Sequence, residues 1–195
     1  MAATLKNKLW ILAFSCLFVG CGSTPIDSES TISPAKKGDT TSLDTKRREA
    51  AEKVFQQTVQ NYHLPSVDLK GPERKELLDK AAREYRQILR KFSDQEKVSA
   101  QSLRSLANIR VEQTRTNEAI RLYAQVGKNY PRESWEVIQA WKTASDLLWL
   151  NNQTAEAAKF DRQIIDTFDQ PDMPAVIQTV VRAVKKRQQN NPMQR

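Results

Sequence analysis

The sequence predicts an all-α protein, a short stack of helical hairpins, on three observations. Glycine is scarce, with five in 195 residues and only Gly71 and Gly127 beyond Gly38. The body is rich in Ala, Gln, Arg, Lys and Glu, which favour helix, whereas sheets need glycine-bearing turns. From residue 43 onward the apolar positions recur with helical period. A set of side chains also returns at a fixed step of 38 residues, which is how stacked repeats announce themselves.

The first element is a leader. Lys6 and Lys8 give residues 1–20 a positive start, and residues 9–19 form an apolar run of 11. That run is too short for a membrane-spanning helix, which needs about 20 residues. Small Gly20 then precedes Cys21. Phe18-Val19-Gly20-Cys21 resembles the bacterial lipobox, although Phe18 stands where Leu is usual and Leu17 lies one place earlier. The resemblance implies diacylglycerol transfer to the Cys21 sulfur, cleavage before it, and further acylation. One acyl chain binds a bilayer only marginally, but two or three hold durably. Cys16 would leave with the leader, so no free thiol and no disulfide is expected after cleavage. Gly22 follows the cysteine; the absence of Asp there leans towards the outer membrane of a two-membrane bacterium, facing the periplasm.

Residues 21–42 read as lipidated cysteine plus flexible tether. The stretch from Ser23 to about Ser42 is rich in Ser, Thr, Pro and Asp, with Ile26 and Ile32 as its main apolar residues. Such a segment buries too little surface to offset its ordering entropy. Its typical reach is roughly 25 Å.

Helices are predicted over about 43–62, 72–92, 96–113, 117–130, 133–150, 154–168 and 173–189. The breaks fall at His63-Leu64-Pro65, Gly71-Pro72, Ser93-Asp94, Thr114–Thr116, Pro131, Asn151-Asn152 and Pro171–Pro174. Asp172 followed by Pro174 is a good start signal for the last helix. Residues 190–195 are expected to form a disordered tail.

The 38-residue step links Ala81, Ala119 and Ala157, then Ile88, Val126 and Ile164, then Phe92, Tyr130 and Phe168. It also links Gln87, Gln125 and Gln163, and it pairs Tyr85 with Tyr123, Asp161 being the third member. A single hairpin cannot bury its apolar face alone, so the units must stack. The pattern resembles the tetratricopeptide repeat, whose first helix carries W-x2-L-G-x2-Y and whose second carries A-x3-F and then P. Leu103-x2-Leu106-Ala107, Ala119-x3-Tyr123 and Pro131 carry the best match, followed by Trp141-x2-Ala144-Ser145, Ala157 and Pro171. The period is 38 rather than about 34. Arg110 and Leu148 replace the first-helix Tyr, and Asp161 replaces the second-helix aromatic. The resemblance implies a solenoid of about three pairs over residues 43–189, capped by the last helix. With the lipobox, it is similar in style to envelope lipoproteins that carry such repeats, among them the lipoprotein of outer-membrane-protein assembly, the TolA-binding protein and pilus pilot lipoproteins.

By that resemblance the first helix of each pair lines a concave groove. The implied groove residues are Gln101, Arg104, Asn108 and Val111, then Gln139, Lys142, Asp146 and Trp149. Amides, cations and one aromatic suit an extended or helical protein segment, with Trp149 as an anchor or as packing between hairpins. Trp141 occupies the motif's own Trp position and is expected in the core.

Formal net charge is +8, and Lys6 and Lys8 account for two of these, leaving +6 beyond the leader. After Asp172 no acid follows, while Arg182, Lys185, Lys186, Arg187 and Arg195 do. This basic patch either answers an anionic partner or complements the helix dipole. Nucleic acid is not expected to meet an exported chain. His63 is the one histidine and falls in a break. With no mature thiol there is no soft-metal set, and no phosphate loop or nucleophile turn is present. The expectation is a non-catalytic, lipid-anchored adaptor without cofactor, holding a protein partner in the cell envelope. The alternative is a cell-wall-contacting or enzyme-regulating lipoprotein that acts through the basic last helix.

Overall fold

The computed structural model describes residues 38–190. The leader, Cys21 and the tether up to residue 37 lie outside the described residues, as do residues 191–195 of the tail. The described residues form seven α-helices and no strand: α1 (Gly38–Thr58), α2 (Gly71–Lys91), α3 (Glu96–Glu112), α4 (Thr116–Asn129), α5 (Ser134–Leu150), α6 (Thr154–Phe168) and α7 (Ala175–Gln189). The all-α hairpin stack expected from the sequence is what the chain adopts. Helix α1 begins at Gly38, so residues 38–42 belong to a helix rather than to the tether. None of these helices is long and apolar enough to cross a membrane.

Each helix packs on the next, and α1, α3, α5 and α7 also touch in succession, while among the described residues α2, α4 and α6 do not touch one another. The odd helices therefore form the inner row of the stack and the even helices the outer row. The repeated side chains hold it together. Ala81, Ala119 and Ala157 are fully buried, as are Val126 and Ile164, with Ile88 at 1% exposure. Small Ala at these positions lets paired helices approach closely, and the branched residues fill the space beside them. Phe92 and Phe168 are buried and Tyr130 half-buried at the ends of the second helices.

The turns repeat as well. Thr114 (φ 60°) and Asn152 (φ 58°) lie 38 residues apart and both adopt the left-handed conformation. The Arg115 amide donates to the Arg110 carbonyl at 2.8 Å, and the Gln153 amide to that of Leu148 at 2.9 Å. Both are the six-residue closure that ends a helix by satisfying its last carbonyls. Helix α2 starts differently: Gly71 takes φ 62° and Pro72 occupies the first turn, where no amide hydrogen is needed.

Before α2, the sequence suggests only a break at 63–71. The structure extends α1 by a π-turn (Val59–His63) and adds a 3-10 turn (Pro65–Val67). His63 is buried at 6% exposure. Its Nδ1 lies 3.1 Å from Tyr85 Oη and its Nε2 3.3 Å from Glu112 Oε1. Arg74 Nη2 donates to the other Glu112 oxygen at 2.6 Å. The histidine thus pins α1 to α2 and α3.

Candidate binding groove

Eight side chains were expected to line the groove, four on α3 and four on α5. All eight are half-buried, and each α5 residue stands 38 positions after its α3 counterpart. Arg104 Nε donates to Glu136 Oε2 at 2.5 Å, tying α3 to α5 with side chains only 14% and 4% exposed. Tyr123 Oη donates to Asn108 Oδ1 at 2.6 Å. Lys142 Nζ donates to Asp146 Oδ2 at 2.6 Å, one helical turn away. Gln101 and Gln139 form no side-chain hydrogen bond among the described residues. Val111 packs against the core at its edge.

The structure joins the two regions that the sequence treats separately. Arg187 of α7, counted in the basic patch, reaches Asp146 Oδ1 on α5 at 2.5 Å. It donates through Nε to Asp161 Oδ2 on α6 at 3.0 Å, through Nη2 to the other Asp161 oxygen, and to Ser145 Oγ at 2.8 Å. Its Cζ lies 5.8 Å from the centroid of the Trp149 ring, within cation–π range. Burial works against the Arg187 charge, but Asp161 and Asp146 outweigh it and hold the guanidinium above its ordinary value. Trp149 therefore sits under an arginine, with Nε1 3.4 Å from Asp161 Oδ2.

The other cations of the patch divide. Lys185 pairs with Asp169. Arg182 is exposed, bonded to the Thr179 hydroxyl at 2.9 Å, and Lys186 is exposed. Two of the four cations on α7 are thus neutralised within the chain. The predicted lipid site, Cys21, lies outside the described residues.

Sequence reasoning missed two groups here. Asp161 is fully buried and accepts from Ser145 Oγ at 2.6 Å as well as from Arg187. Its signal was present as the odd member of the repeated aromatic position. Glu136, the partner of Arg104, is 3% exposed, and nothing in the pattern marks a carboxylate there as buried. Trp141, expected in the core, is partly buried and packs against it, with its ring centroid 6.0 Å from that of Phe168. The charge network leaves a polar inner row whose ions are already paired and whose two glutamines, Gln101 and Gln139, are open. Among the described residues, no group of three or more His, Cys, Asp and Glu side chains could hold a metal ion.

Compared with protein-family models, with curated proteins and with solved structures, the chain matches none.

Proposed function

We propose that this chain is a lipid-anchored, non-catalytic adaptor of the bacterial cell envelope, held through Cys21 and facing the periplasm from the outer membrane. Its inner row of helices takes a protein segment, extended or helical. One observation carries the reading: the polar row repeats on α3 and α5, its charges are satisfied within the chain, and Gln101 and Gln139 are left open at equivalent places. A side-chain amide both donates and accepts, as a peptide backbone needs. Two such amides one repeat apart can hold a segment without reading a particular side chain, while Trp149 offers apolar area beside them. Paired ions contribute shape rather than long-range attraction, so partner binding should depend weakly on salt.

The test is site-specific photocrosslinking in membranes, with the crosslinker at residue 101, at residue 139, or at exposed Asn117 on α4 as control. A discrete adduct of the same mass from 101 and 139, absent from 117 and lost on Gln101→Ala/Gln139→Ala, is expected. Equal adducts from all three places would sink the groove. Anchoring is read separately, by acyl labelling of the wild type and of Cys21→Ser.

A further inference from the structure

The outer row carries a second surface. On each even helix, residues at i, i+4 and i+7 share one face. Arg83, Gln87 and Arg90 on α2 are exposed, as are Arg121, Gln125 and Lys128 on α4, and Lys159, Gln163 and Asp166 on α6. Each set lies 38 residues from the next, so the repeat that builds the core also aligns these positions across the outside of the stack. Arg162 and Glu156 are also exposed on α6, where acids and bases balance. The core aromatics and aliphatics of the repeat are explained by packing, but these exposed positions are not.

Six of the 14 arginines among the described residues are held in ion pairs. Arg47, Arg74, Arg104, Arg110, Arg115 and Arg187 each pair with a carboxylate. Arg83, Arg90, Arg121 and Lys128 form no ion pair among the described residues. The large apolar side chains that stand exposed are Leu43, Leu64, Leu150 and Val176, and none is on α2, α4 or α6.

We infer that the outer face of α2 and α4 rests on a bilayer surface bearing anionic headgroups. An array of unpaired cations several residues wide, without an apolar wedge and without a buried polar donor, has the character of a surface that meets a plane of negative charge at headgroup level and does not insert. A specific small ligand would need convergent buried donors, and a single polymer thread would need a groove; the outer row shows neither. The inference rests on the membrane-anchored adaptor reading for the presence of a bilayer nearby. It also orients the domain: the outer row faces the lipid, and the inner row with Gln101, Gln139 and Trp149 faces away, open to a partner.

The test uses the full chain carrying Cys21→Ser, so that no acyl chain contributes. Its cosedimentation is compared on vesicles of phosphatidylcholine alone and on vesicles in which a third of the lipid is phosphatidylglycerol. The leader, with Lys6 and Lys8, contributes equally to the parent and to every variant, so the readout is the change in phosphatidylglycerol preference between them. Each cation at an anionic surface strengthens partition about fivefold. The preference for phosphatidylglycerol should therefore fall by at least about 30-fold in Arg83→Glu/Arg121→Glu, where two cations are lost and two anions gained, and fade as salt rises. It should persist in Arg182→Glu/Lys186→Glu and in Gln101→Ala/Gln139→Ala. Both reversed pairs are exposed, and helical circular dichroism verifies that they fold. No preference in the parent chain, or a preference undiminished in Arg83→Glu/Arg121→Glu, overturns the inference. So does tight binding to soluble polyphosphate, lost in the same variant, when the vesicle preference is missing; the face would then belong to a polymer. Failure of anchoring appears elsewhere, as absent acyl label on wild-type Cys21, and failure of the groove appears in the crosslinking.

Discussion

A methyl group on Gly127 would lie 2.3 Å from Cζ2 of Trp141 and 2.5 Å from its Nε1, far inside van der Waals contact. The glycine is there because α4 must pass directly under the α5 indole. Two effects compete in Gly127→Ala. Helix propensity favours Ala by up to about 1 kcal/mol, while overpacking a filled core costs about 1–3 kcal/mol. The indole is packed against Phe168 and has little room to swing, so the clash should win. Urea unfolding should show a net loss of about 1–2 kcal/mol, with altered Trp emission; equal stability would mean that the α4–α5 gap is looser than it looks. Thr114 argues in the opposite direction. It is β-branched and held at φ 60°, where an L-residue loses about 1–2 kcal/mol. Thr114→Gly removes that strain but makes the unfolded chain freer, so stability should rise by about 0.5–1 kcal/mol. Asn152→Gly at the equivalent turn should change little, because Asn tolerates the left-handed region. A destabilised Thr114→Gly would show that the threonine side chain contributes more than its backbone costs.

At the scale of the helix, the docking of α7 turns on one carboxylate. Ile177, Val181 and Val184 bury its apolar side, and Asp161 ties its far end through Arg187. Replacing Asp161 with Asn keeps the shape and removes the charge. Breaking a deeply buried pair can cost several kcal/mol, but Arg187 is 27% exposed and keeps Asp146, so about 1–2 kcal/mol is expected. The loss should be local: amides of α7 should exchange faster while those of α3 to α5 keep their protection. Uniform acceleration, or none, would refute the local lock. The same element shows where the sequence was legible. Its start after Pro174 follows from proline placement, and the helical spacing of Ile177, Val181 and Val184 predicts the buried side. Likewise Pro131, Asn151-Asn152 and Ser93-Asp94 mark real hairpin turns, because such residues close helices for local reasons. Residues 38–42, Gly-Asp-Thr-Thr-Ser, are helical in spite of poor intrinsic propensity, so composition assigned them to the tether. Arg187 falls in the basic run of α7, and counting charges along a chain cannot reveal a carboxylate on another helix, 26 residues earlier. Glu136 and His63 were invisible for the same reason: their burial is created by elements distant in sequence.

For the whole molecule, the repeat makes equivalent positions respond together. Tyr85 and Tyr123 occupy the same place in successive units and are both fully buried. Burial is the dominant influence on each phenol and pushes its ionisation upward. Tyr130, half-buried, is raised in the same direction and for the same leading reason. In the unfolded chain these phenols titrate near ~10. A group whose folded pKa is raised adds stability that is complete below the unfolded value. That contribution is lost as pH climbs from the unfolded value towards the folded one, because only the unfolded chain then gives up its proton. Between those limits each buried phenol should lower stability by about 1.4 kcal/mol per pH unit. Two of them acting together give roughly 3 kcal/mol per unit above pH ~10. Since neighbouring units stabilise each other through their interface, the loss should appear as one cooperative alkaline transition and not as two. Tyr123→Phe should start lower at neutral pH, for want of the hydrogen bond to Asn108, yet decline about half as steeply above pH ~10. Denaturant midpoints measured from pH 8 to pH ~11 decide the matter. An unchanged slope in Tyr123→Phe would mean that the alkaline limb belongs to lysine deprotonation on the surface, and that the paired tyrosines do not couple the units.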